Sequence, residues 1–178
     1  MSSVNSASNG SPRGSGPPSG LAKILIVGLG NPILGDDGIG WHVADAVRER
    51  VEGIEIECLA LGGLSLMERL VGYQRVIVID AIQTKDGQIG DVYRLPLEAL
   101  PDLSAGHTTA VHDTSLQTAL RLGRAMGAEL PDEITIVAVE ARRVYDFSEE
   151  LTPEVEAAIP AATEAVLDAL KMSQRKES

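Results

Sequence analysis

Three carboxylates fall where a sheet opens onto solvent. Asp36 and Asp37 follow the glycine-rich turn Gly28-Leu-Gly30-Asn31, which itself follows the apolar run Ile24-Leu25-Ile26-Val27, and Asp80 ends the β-branched run Val76-Ile-Val-Ile79. In open α/β sheets, ligands bind outside the carboxyl ends of the strands, so residues that follow such runs share one crevice. A helix is expected after the turn, and its unpaired amides and dipole favour one acidic cap. Asp36 fills that role. Asp37, beside the slender Gly38, is then directed at the crevice, where a carboxylate can bind a cation or accept a proton. Asp80 has a simpler alternative as the cap of its own turn.

Three histidines compete to complete a metal-binding set. His42 falls inside the first helix, next to Trp41, where a half-buried helix position is the plainer reading. His107 sits in the loop Gly106-His-Thr-Thr, where exposure is the default. His112 stands just before Asp113-Thr114, a helix start, and a helix amino terminus disfavours imidazolium and so preserves the metal-competent neutral ring. Two oxygens and one nitrogen suit nickel or zinc better than calcium.

Other chemistries have less support. Gly28-x-Gly30 begins like a dinucleotide fingerprint, but the third glycine would fall at Ile33, and two carboxylates at the helix mouth would repel a pyrophosphate. Ser65 and Ser115 lack a nucleophile elbow, and Cys58, within the alternating Ile54-Glu-Ile-Glu-Cys58-Leu, reads as a small core residue.

These residues need a scaffold of alternating strands and helices, the pattern of an α/β domain. Strands are expected at Lys23–Val27, Ile54–Leu59, Val76–Ile79 (the sheet centre) and Glu133–Val139. An extra strand within Gly87–Leu95 follows the turn signal Gly90-Asp91 and reads as antiparallel. Helices are expected over Ile39–Val51, Leu64–Val71, Thr114–Met126 and from Thr152-Pro153 to about Lys171. Thr114 and Gln117 have the spacing of a capping box, and Thr152 is an N-cap before a first-turn proline. Residues 96–111 read as a loop.

A length of 178 residues with 44% hydrophobic content fits one well-filled core. Residues 1–20 are rich in Ser, Gly, Pro and Asn and read as a disordered tail, residues 21–172 as one domain, and residues 173–178 as a short polar tail. No secretory signal or membrane-length apolar run (~20 residues) is evident, so a soluble, cytoplasmic protein is expected. The net charge of −11 and the scattered Lys and Arg disfavour nucleic acid as a partner.

Taken together, Gly28-Leu-Gly30-Asn31, Asp36-Asp37-Gly38-x-Gly40, Val78-Ile-Asp80-Ala81 and His112 resemble the hydrogenase maturation protease family, in order and spacing, from Lys23 to about Leu170. The resemblance implies a three-layer αβα sandwich around a twisted, mostly parallel sheet of about five strands. It also implies a cytoplasmic endopeptidase that removes the C-terminal extension of a nickel-iron hydrogenase large-subunit precursor once nickel is in place. The family's metal-contacting residues fall on Asp37, Asp80 and His112; the nickel belongs to the precursor, and Asp36 becomes a cap and supporting partner. A monomer is expected. Many members carry an acidic residue before the paired glycines that follow the second strand and a Thr after them; here the sequence is Leu61-Gly62-Gly63-Leu64. A noncatalytic nickel-sensing chaperone is the nearest alternative. Peptidyl-tRNA hydrolases share the strand and Gly-Leu-Gly-Asn-Pro opening, but they carry a His-Asn pair where this chain has Asp36-Asp37, and the acidic charge makes tRNA a poor partner.

Overall fold

The computed structural model describes residues 22–100, 110–142, 144, 145 and 147–174. Five strands, β1 (Ile24–Leu29), β2 (Glu55–Leu59), β3 (Arg75–Ile82), β4 (Val92–Pro96) and β5 (Glu133–Glu140), form one sheet in the order β2-β1-β3-β5-β4. All pairings are parallel except β4 with β5, so the expected antiparallel strand is present, at an edge. β3 is central and buried along its whole length, as its β-branched run requires.

Helices cover both faces. On one side α1 (Ile39–Arg48) and α4 (Pro153–Gln174) place Val43, Val47, Val155 and Val166 over Ile26, Ile77 and Val137. On the other, α2 (Gly63–Arg69) and α3 (Ala110–Ala125) place Leu66, Met67, Leu116 and Leu120 over Leu25, Val76 and Ile136. The result is the three-layer sandwich that the resemblance implied. Among the described residues, no helix is long and apolar enough to cross a membrane.

The first helix packs close to the sheet because two glycines let it. A methyl group on Gly28 would overlap the Gly40 carbonyl oxygen and the Ala44 side chain, and one on Gly40 would overlap the carbonyl oxygens of Leu29 and Ile79. The close helix–strand contact that a nucleotide fold assigns to its third glycine is therefore made here by Gly40, seven residues after Ile33. Gly40→Ala must push α1 off β1 and β3, with an expected loss of about 3 kcal/mol of stability. Thermal melting checks this as a fall in Tm of roughly 6–12 °C.

Two elements depart from the sequence reading. β3 continues through Asp80 to Ile82 by pairing with β5, so Asp80 lies within the strand and opposite Ala138. It is nonetheless just past the last β1 partner, since that register stops at Gly28 with Ile79. α3 begins at Ala110, which puts His112 in its first turn and Thr114 inside the helix instead of at its cap. Gln117 is not part of a capping box either: its Nε2 donates to the Leu97 carbonyl at 3.0 Å, tying α3 to the 3₁₀ turn Leu97–Ala99.

Candidate active site

The chain reverses its strand order between β1 and β3, because β1 has β2 on one side and β3 on the other. At such a switch point the outgoing loops diverge and leave a crevice. The β1 loop fills part of it with a tight turn: Gly30 has φ 125°, and a side chain there would overlap the Asp37 carbonyl oxygen. Gly30 N also donates to Leu59 O at 3.1 Å, pinning the turn to the end of β2. The 3₁₀ turn Gly35–Gly38 then presents the two aspartates in different directions.

Asp37 is half-buried, and its Oδ2 accepts from the Asn31 amide at 2.6 Å, so the loop folds back onto its own carboxylate. Asp80 is 9% exposed, and its Oδ1 accepts from the Ala81 amide at 2.8 Å. Both line one cleft of about 220 Å³, together with Gly30, Asn31, Leu34 and Leu61. Each of these hydrogen bonds orients its carboxylate. The structure thus brings together the two acidic residues singled out from sequence. Leu61 puts an apolar wall where the resemblance leads one to expect an acidic residue.

Asp36 does not cap α1. The N-cap of that helix is Gly38, with no side-chain cap bond, and Asp36, 1% exposed, turns the other way. Its Oδ1 accepts from the Thr152 amide at 2.7 Å and its Oδ2 from the Thr152 hydroxyl at 3.1 Å. Thr152 immediately precedes Pro153, the first residue of α4, so the carboxylate caps the amino end of a helix 116 positions away. The sequence signals for a cap were present at both ends, but only the tertiary fold pairs them.

The histidines separate. His42 is exposed on α1 and lines a different cleft with Ser148, Glu150 and Glu156, so it is neither half-buried nor at the Asp37–Asp80 cleft. His107 lies outside the described residues. His112 is the third residue of α3, and its side chain also lies outside them. Among the described residues, no group of three or more His, Cys, Asp or Glu could hold a metal. Asp37 and Asp80 are the two acidic side chains that line the cleft.

Cys58 is half-buried against the α1–α4 core. Burial pushes its thiol up, outweighing the Arg48 guanidinium that lowers it, so little thiolate is present near neutral pH. The core reading holds. Glu140, fully buried at the end of β5, carried no sequence signal beyond its type. It accepts from Thr84 N at 2.8 Å and Thr84 Oγ1 at 2.9 Å and fastens the β3–β4 connection.

A mostly parallel sheet with a carboxylate-lined cleft at its switch point, and no activated serine or cysteine among the described residues, defines an α/β protein with two carboxylates, a chemistry that suits a cation or acid–base work. A family model for hydrogenase maturation proteases (HycI) matches residues 42–169, a stretch that holds Asp80 and His112 and begins just after Asp37. The hydrogenase 2 maturation protease of Escherichia coli (strain K12) is 32% identical over 154 residues, covering 85% of this chain and 92% of that protein. The solved hydrogenase maturating endopeptidase HybD of E. coli superposes with a TM-score of 0.71 at 32% identity, covering 85% of this chain and 93% of its own. The [NiFe] hydrogenase maturation protease HybD of Thermococcus kodakarensis gives a TM-score of 0.63 at 26% identity, covering 83% and 98%. The chain belongs to the hydrogenase maturation protease family.

Proposed function

We propose that this protein is the endopeptidase that removes the C-terminal extension of a nickel-iron hydrogenase large-subunit precursor, and that it cuts only after nickel has been inserted. The observation that carries this reading is the convergence of Asp37 and Asp80 on one cleft at the β1–β3 switch point. The nickel arrives with the precursor and is part of the substrate. Asp37 and Asp80 take open positions on that ion, and His112, from the first turn of α3, supplies the nitrogen donor.

Held in this way, the precursor's metal fixes the register of the chain that follows it. The scissile bond and an attacking water are positioned together, which supplies catalysis through orientation. The Asn31 and Ala81 amides keep each carboxylate in place before the precursor arrives, so little reorganisation is needed on binding. No protein nucleophile is required, in keeping with the half-buried Cys58, whose thiol burial pushes up.

The purified protein is mixed with nickel-loaded and with nickel-free precursor, and the products are weighed by mass spectrometry. The loaded precursor is expected to lose its C-terminal peptide while the nickel-free form stays intact. Equal cleavage of both would remove nickel from the mechanism, and binding without cleavage of either would favour a noncatalytic nickel-sensing chaperone.

A further inference from the structure

The only phenylalanine in the chain, Phe147, is 87% exposed. A single exposed apolar side chain is ordinary, but one fixed beside a second exposed apolar side chain makes a patch. It is also held in place. Leu34 and Ser148 form a parallel bridge, with Ser148 N donating to Ile33 O at 3.1 Å and Gly35 N donating to Ser148 O at 2.7 Å. That pairing sets the backbones of Ile33 and Phe147 side by side, and Ile33 is itself 47% exposed. The Asp36–Thr152 bonds tie the same two loops a second time, four residues further along the second loop.

The ridge made in this way is continuous with two depressions. On one side, Leu34 of the bridge lines the Asp37–Asp80 cleft. On the other, Ser148 opens an acidic trough of about 720 Å³ lined by Glu149, Glu150 and Glu156. Those glutamates are exposed and belong to a chain of net charge −11, a field that draws a cationic segment.

We propose that the Ile33–Phe147 ridge docks the precursor, packing against an apolar side chain whose neighbouring Lys or Arg residues lie in the Glu149–Glu150–Glu156 trough. This rests on the reading of the protein as a precursor-processing endopeptidase and adds where, outside the cleft, the precursor is held. A fixed aromatic anchor beside a charged rim is the usual division of labour at a protein interface: the anchor carries the affinity and the charges set the encounter rate and register.

The test is calorimetric binding of nickel-loaded precursor to the full chain, in parallel with thermal melting. Phe147→Ser is expected to raise Kd at least about tenfold with Tm unchanged, because the ring packs on nothing that folding needs. The double variant Glu149→Gln, Glu150→Gln is expected to weaken binding severalfold at low salt and to flatten its salt dependence. Met126→Ser, which removes another exposed apolar side chain (79%) at the far end of α3, should bind as the wild type does. Binding of Phe147→Ser within twofold of wild type, or an equal loss in Met126→Ser, overturns the docking ridge whether or not the precursor is cut. Loss of binding in Phe147→Ser, with no cleavage by the wild type, upholds the ridge and overturns the endopeptidase reading.

Discussion

Asp37→Asn and Asp80→Asn are each expected to lower precursor processing by about a thousandfold or more while leaving the fold intact. Asparagine keeps the side-chain volume and one carbonyl oxygen, so the Asn31 amide can still be accepted at position 37 and the Ala81 amide at position 80. What is lost is the negative charge and the second oxygen, the features a cation needs and the hydrogen bonds do not. Melting temperatures should therefore stay within a few degrees of wild type while the rate collapses, and a single assay of cleavage beside a thermal scan separates the two. His112→Ala should behave in the same way, whereas Met126→Ser, an exposed position outside both the cleft and the trough, should cleave at the wild-type rate. Normal cleavage by His112→Ala, with loss in His107→Ala, would move the third donor to the other histidine.

Asp36→Ala should fail differently, through stability and loop order. The substitution strands two donors of Thr152 that are now bonded to one buried carboxylate, at an expected cost of about 2–4 kcal/mol. Hydrogen exchange at the Thr152 amide should rise steeply in this variant, and the loop that carries Phe147 should lose protection with it. Asp36→Asn should cost about half as much, since its amide oxygen still accepts from the Thr152 amide while its Nδ2 donates to the Thr152 hydroxyl, which turns to accept. Two adjacent aspartates thus give opposite signatures: position 37 changes rate without stability, and position 36 changes stability first. A stability loss under about 0.5 kcal/mol in Asp36→Ala would contradict the Asp36–Thr152 lock.

That contrast also shows what the sequence makes legible. The alternation of apolar runs with helical spacings is local information, and it places the strands and their order of use; β3 is central because Val76–Ile79 is apolar on both faces. The separation of Asp36 from Asp37 is legible too, since one helix mouth needs only one cap. Which helix Asp36 caps is not, because Thr152 lies 116 residues away and nothing local links them. The start of α3 is hidden for a related reason. Thr109 before Ala110 is a cap-forming type with no partner three residues on, so the full Thr114–Gln117 capping-box spacing looks like the start, although Gln117 is used to reach Leu97. Phe147 is misleading by type, for an aromatic residue suggests a core position, and only the fold, with Ser148 bridged to Leu34, shows it standing on the surface.

The proposed function requires that a metal carried by the precursor be met by Asp37 and Asp80, whose carboxylates backbone amides already orient. Nickel-edge X-ray absorption of the loaded precursor, recorded alone and after addition of one equivalent of this protein, tests that contact directly. The expected result is a gain of oxygen and nitrogen neighbours around nickel on adding wild-type protein, and none on adding the Asp37→Asn, Asp80→Asn double variant. An unchanged nickel spectrum in a precursor that the wild-type protein binds and cuts would contradict it.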